Sequence, residues 1–175
     1  KELSGSYSFV IVTKQGEVLA ARDEGGYRPL CLGWDEEEQT HIVASESCAL
    51  SALHAELVRN VQPGELIKLD ENGLTVTRFA ESPRHYHCAF EYTYFAHPSS
   101  KIEGHYVYDA RRKLGRVLAR KYQFEADVVI PVPDSARPAA LGYSEESGIP
   151  MEEGLMKDRY RRKGSMRSFI EPTDK

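Results

Sequence analysis

Residues 127–135 read Asp127-Val128-Val129-Ile130-Pro131-Val132-Pro133-Asp134-Ser135. The apolar run Val128-Val129-Ile130 has no polar alternation, which predicts a strand covered on both faces, as in a parallel α/β sheet. Pro131 and Pro133 end the ladder, because proline donates no backbone hydrogen bond. Asp134 and Ser135 then fall at the carboxyl end of the strand, just before an Ala/Leu-rich helical segment over 138–146. Ligands of open α/β sheets bind outside the carboxyl ends of the strands, where the next helix offers free N–H groups to an anion. A phosphate-bearing ligand with a divalent cation is one reading of this loop. The other is a plain turn with a helix cap, a role that Asp and Ser fill for their own sake.

Working outward, a helix is predicted over 105–122. Its apolar face would hold Val107, Ala110, Leu114, Val117 and Leu118, and its basic face Arg111, Arg112, Lys113, Arg116, Arg120 and Lys121. The first half of the chain reads as strands: a hairpin over 6–21, a strand over 41–44, and a hairpin over 65–79 around Glu71-Asn72-Gly73. Between them Ser45-Glu46-Ser47 opens a helix with Ala49, Leu50, Leu53 and Leu57 at helical spacing. Trp34 to Glu38 reads as a solvated acidic loop. Stacked antiparallel sheet with helices against it is the expected first half, and parallel α/β the second.

Composition narrows the function classes. At 41% hydrophobic and 29% charged residues the chain has the make-up of an ordinary globular protein. Its net charge of −4 argues against nucleic acid as the main partner. No apolar run reaches the length of a membrane span. Cys31, Cys48 and Cys88 are odd in number and widely spaced, so they form no disulfide framework and fit a reducing cytoplasm. The six histidines have no zinc-type spacing.

Several blocks, in this order, carry a resemblance. They are Ser6-Tyr7-Ser8; Arg22-Asp23 with Gly26 and Arg28-Pro29-Leu30; Val43 through Leu50; Pro63-Gly64-Glu65; Cys88 with Phe90-Glu91-Tyr92 and Tyr94-Phe95; and Val129 through Ser135. Together the chain resembles the glutamine phosphoribosylpyrophosphate amidotransferases (amidophosphoribosyltransferases). The resemblance implies residues 1–100 as the late part of a class II glutamine amidotransferase domain, a four-layer αββα N-terminal-nucleophile fold. It implies residues 101–175 as the start of a parallel-sheet phosphoribosyltransferase domain. The implied activity is the first step of purine synthesis, in which ammonia from glutamine displaces pyrophosphate from phosphoribosylpyrophosphate (PRPP). By the same resemblance the protein is a cytoplasmic homo-oligomer.

The implied site residues are Asp134 and Ser135 in the pyrophosphate loop, with Ser135 a magnesium ligand, and Arg159, Lys163 and Arg167 in a loop that closes over PRPP. That loop, 159–170, is longer and more basic here than the family pattern. Cys88 matches a position that ligates a 4Fe-4S cluster in some members and is a buried thiol in others. Arg22, Asp23 and Arg28 are expected to buttress the domain contact or to form structural ion pairs. His97 stands where the family usually has arginine, replacing a permanent charge with a pH-sensitive one. Position 1 is Lys1 and not the family's nucleophilic cysteine, and the paired aspartates of the PRPP motif do not occur before Lys175. The polypeptide by itself is therefore expected to catalyse neither half-reaction. The alternative is a non-catalytic relative that binds PRPP or a nucleotide.

Overall fold

The computed structural model describes residues 3–82 and 84–157. Cα packing divides the chain into two units, Lys1–Arg111 and Arg112–Lys175.

The first unit is built on two antiparallel sheets. β1 (Ser8–Val12), β2 (Val18–Arg22), β6 (Glu65–Asp70) and β7 (Gly73–Arg78) form one, in the order β1-β2-β6-β7. β3 (Cys31–Asp35), β4 (Thr40–Ala44) and β5 (Glu56–Asn60) form the other, in the order β4-β3-β5. Ala20 and Ile67 from the first sheet meet Leu32 from the second, with Leu30 and Val61 filling the space between. The far side of the second sheet buries Cys31, with Leu50 of α1 (Ser47–Ala52) and Ala55. These alternating inward residues are the period-two pattern of a stacked β arrangement.

Two expectations for this unit need correction. The helix after Ser45 ends at Ala52, and Leu57 belongs to β5. His54 takes a positive φ of 59°, which turns the chain straight from helix into strand. Trp34 and Asp35 close β3, so the acidic turn proper is shorter than the expected loop.

After β7 the chain forms a π-turn at Glu91–Phe95, a short hairpin of β8 (Lys101–Ile102) and β9 (His105–Tyr106), and then α2 (Val107–Lys121). The buried stripe of α2 is Val107, Arg111, Gly115 and Ala119. Leu114, Val117 and Leu118 are 47%, 55% and 50% exposed, contrary to the aliphatic face expected from spacing. The cause is close helix packing. α3 (Arg137–Ser147) passes so near α2 that a Cβ on Gly115 would overlap the Ala139 carbonyl, and one on Gly142 would overlap that of Arg112. Small residues therefore occupy the contact and the larger aliphatic ones do not.

In the second unit Val129 and Met151 form a parallel bridge, with α3 as the crossover between them. Val129 N donates to Pro150 O at 2.8 Å, and Glu152 N to Val129 O at 3.0 Å. This is a minimal βαβ unit. The expected strand over 128–130 is thus paired on one side among the described residues, and it is not buried on both faces: Ile130 is 45% exposed. Mixed antiparallel sheet, helices and a parallel βαβ unit place the chain in the expected α/β class.

Candidate functional site

The carboxyl end of the strand runs through buried Pro131 and exposed Val132 into a turn over 133–136, and α3 starts at Arg137. Pro138 in the first turn costs no hydrogen bond, because its missing N–H would be unpaired there anyway. The N-cap residue is Ala136, and no side chain caps the helix. The cap reading of Asp134 and Ser135 therefore does not hold. Their side chains stand before the helix start, Asp134 exposed and Ser135 half-buried. Arg137 adds an Nε–H that is buried without a hydrogen-bond partner among the described residues, while its Nη2 reaches Glu153 at 3.1 Å. A hydroxyl, a carboxylate and an orphan guanidinium N–H at one helix start match an anion held with a hard cation.

Beside this turn lies an apolar groove of about 400 Å³, lined by residues such as Phe124, Val128, Ile130, Tyr143 and Ile149. It offers almost no polar group, so it does not suit a phosphate. Arg159, Lys163 and Arg167 lie outside the described residues.

The first unit contains a second concentration of charge. Arg22 is 2% exposed and Asp23 is fully buried. Arg22 Nη1 pairs with Glu103 Oε1 at 2.7 Å and donates to Val61 O at 2.5 Å. Asp23 accepts from the backbone N–H groups of Tyr27 at 3.1 Å and Arg28 at 3.2 Å. Arg28 Nη1 reaches Glu91 Oε1 at 2.6 Å, and its guanidinium lies over the Phe95 ring. Burial pushes the Glu91 pKa up, and Arg28 opposes that shift. All three sequence-marked residues are thus tied into ion pairs or loop hydrogen bonds inside one unit. This is the structural role; none is a free charge aimed at solvent.

Residues that the sequence did not mark complete this network. Arg111, expected on a solvated basic face, is 2% exposed and donates to Tyr92 O at 2.6 Å and Ala96 O at 2.8 Å. Burial lowers its pKa, against the pull of Glu46. Glu46 accepts from His97 N and from Ser100 Oγ, both at 2.7 Å. His97 keeps its ring for Ser99, with Nδ1 at 2.7 Å from Oγ. The π-turn is therefore held from behind by Arg111 and Glu46, leaving Phe90, Tyr94 and Phe95 exposed. The one available signal was the i, i+4 spacing of Arg111 between Val107 and Gly115.

Cys88 is half-buried, Cys31 lies in the sheet core and Cys48 lies on α1. No group of three or more His, Cys, Asp or Glu side chains among the described residues is placed to hold a metal ion. The described residues alone do not make an iron–sulfur site, which needs several converging thiolates. Among the described residues no helix is long and apolar enough to cross a membrane.

Comparison with known proteins gives a consistent result. Residues 1–52 match the family described as Glutamine amidotransferase domain. The chain is 46% identical over 173 residues to an amidophosphoribosyltransferase of Methanothermobacter thermautotrophicus, covering 99% of this chain and 35% of the relative. It is 44% identical over 171 residues to one from Synechocystis, covering 97% of this chain and 34% of the relative. A solved structure of glutamine PRPP amidotransferase from B. subtilis complexed with ADP and GMP superposes with a TM-score of 0.84 at 42% identity, over 97% of this chain and 36% of that one. The chain spans about a third of the length of the curated relatives it matches.

Proposed function

We propose that this chain, which matches amidophosphoribosyltransferases along about a third of their length, is the piece of such an enzyme joining glutaminase to phosphoribosyltransferase. In this reading residues 1–100 belong to the glutaminase domain and residues 101–175 to the phosphoribosyltransferase domain. The parent protein hydrolyses glutamine to glutamate and ammonia. The ammonia nitrogen then bonds to C1 of the PRPP ribose as the C1–O bond to pyrophosphate breaks, and one proton is released. The products are phosphoribosylamine, pyrophosphate and glutamate. The parent is expected to be a cytoplasmic homo-oligomer.

The observation that carries this reading is the reach of the match: identity of 46% runs over 99% of the chain, through both units. The turn before α3 supports it chemically. Ser135 and Asp134 supply oxygen donors suited to magnesium, and the orphan Arg137 Nε–H suits a phosphate oxygen. Magnesium, when bound, neutralises charge on the pyrophosphate leaving group. In this reading Ser135 orients the pyrophosphate, Asp134 fixes the turn, and Arg159, Lys163 and Arg167, which lie outside the described residues, screen phosphate charge. A 4Fe-4S cluster at Cys88 would require thiolates from beyond the described residues.

The test is turnover by the full-length polypeptide with glutamine, PRPP and magnesium. Pyrophosphate and glutamate released in equal amounts, with pyrophosphate release dependent on both substrates, is the expected result. Binding of PRPP or a purine nucleotide without turnover would replace it with the regulatory alternative.

A further inference from the structure

A guanidinium carries five N–H donors and no acceptor. Arg22 uses four of them on oxygen. Nε donates to Arg28 O at 2.8 Å, Nη1 to Val61 O at 2.5 Å and Glu103 Oε1 at 2.7 Å, and Nη2 to Gly26 O at 2.8 Å. The fifth faces His85 Nε2 at 3.4 Å. That contact is a hydrogen bond only when Nε2 carries no proton, as in the neutral His85 tautomer protonated at Nδ1. Glu103 Oε1 waits 3.6 Å from the same nitrogen.

The ring also bears on the loop that Arg22 supports. Gly26 has a φ of +68°, and a Cβ there would come within 2.9 Å of the His85 ring. Next to it, Tyr86 N donates to Gly25 O at 2.8 Å, and the Tyr86 ring stacks on Tyr27 with centroids 4.9 Å apart. Residues 85–86 thus clasp the 25–28 loop from outside while Arg22 holds it from inside.

We propose that His85 is a proton-operated latch on this loop: the neutral ring accepts from Arg22 and holds the clasp, and proton uptake at Nε2 transfers the ring to Glu103 and loosens residues 25–28. The inference does not draw on the amidotransferase reading. The groups facing the ring are Arg22 from β2, the Gly26 carbonyl from the loop, Glu103 from the β8–β9 turn and His87 from its own segment, its ring tilted by 32° with centroids 4.4 Å apart. Burial pushes the His85 pKa below its ordinary 6.5, Glu103 and a hydrogen bond to the Gly26 carbonyl oppose this, and Arg22 and His87 add to it. The sign follows: the open loop binds the proton more readily, so the latch is fully held above the ordinary value and is lost as pH falls through the lowered one. The loop matters because Arg28, its last residue, holds Glu91 at the π-turn.

Hydrogen exchange of the full-length protein, followed by mass spectrometry from about pH 8 to about pH 5, tests the latch. After correction for intrinsic exchange, opening of peptides covering residues 22–30 should rise by up to about tenfold per pH unit across the transition. His85→Gln keeps a neutral acceptor for Arg22 and should abolish the step, while His87→Gln should retain it. A step that survives His85→Gln, or no step in the unaltered protein, overturns the proposal. Should His85→Gln fail to fold, nitrogen spectra of the histidine-labelled unaltered protein decide: a proton on His85 Nε2 at about pH 8 also overturns it.

Discussion

Gly142 of α3 lies directly on the Arg112 carbonyl of α2, with no room between them for even a methyl group. Gly115 meets the Ala139 carbonyl in the same way, so the two helices touch backbone to backbone.

Replacing a helical glycine with alanine ordinarily gains about 1 kcal/mol of helix propensity. Here the sign reverses. Gly115→Ala and Gly142→Ala should each destabilise the second unit by about 1–3 kcal/mol, because the added methyl forces the helices apart. Chemical denaturation followed by a probe within residues 112–157 reads this directly. A raised midpoint for either variant would mean that the contact is loose.

Arg28→Met should leave Glu91, 4% exposed, without its counter-charge. Arg28 is itself 41% exposed, so solvent screens part of the pair, and a loss of about 1–2 kcal/mol is expected from uncovering the desolvated carboxylate. The double variant Arg28→Met/Glu91→Gln should recover most of it, since a neutral amide carries no buried charge. A double-variant cycle showing no coupling would place the pair in solvent.

On the α2–α3 face, Arg112 and Arg116 both bind Glu145 and hold its carboxyl at about 2, below the ordinary 4.5. The pair contributes fully above the ordinary value and is lost only as pH falls through about 2. Carboxyl carbon shifts should therefore show Glu145 ionised when most exposed glutamates have taken up their protons. Strong salt should narrow the difference, because these groups face solvent. A Glu145 midpoint inside the ordinary glutamate range would contradict the paired geometry.

Ser135→Ala in the full-length protein should weaken magnesium-dependent PRPP binding by about tenfold or more, the scale of one hydrogen bond to a charged group. Titration calorimetry with and without magnesium separates this from misfolding, since magnesium-independent binding should change little. Unchanged affinity would remove Ser135 from the site.

Much of the fold was legible because strands advertise themselves by alternation and turns by chemistry. The hairpin at Glu71-Asn72-Gly73 appears where its turn residues lie, with β6 and β7 in register around it. The turn carrying Asp134 and Ser135 was also placed correctly at the strand-to-helix junction. What periodicity could not supply was depth. On α2 it assigned the core face to Leu114, Val117 and Leu118, whereas glycine-mediated contact with α3 turned the small-residue stripe inward. Arg111 was hidden for the same reason: a basic residue in a helix reads as solvated until the carbonyls that accept from it are known. The Arg22 network depends on partners up to 81 positions away in the chain, a distance that no local pattern spans.

Cys31 sits between sheet and helix with its thiol donating to Ala44 O at 3.3 Å, and burial pushes its pKa up to about 11. Only the thiolate reacts readily with alkylating agents. At neutral pH the folded protein should therefore take up label at Cys48 or Cys88 while Cys31 stays silent, and modification of Cys31 should begin only when the second sheet parts from α1. The chain thereby carries its own chemical clock: the rate at which Cys31 becomes labelled counts openings of the first unit's core, with no engineered probe.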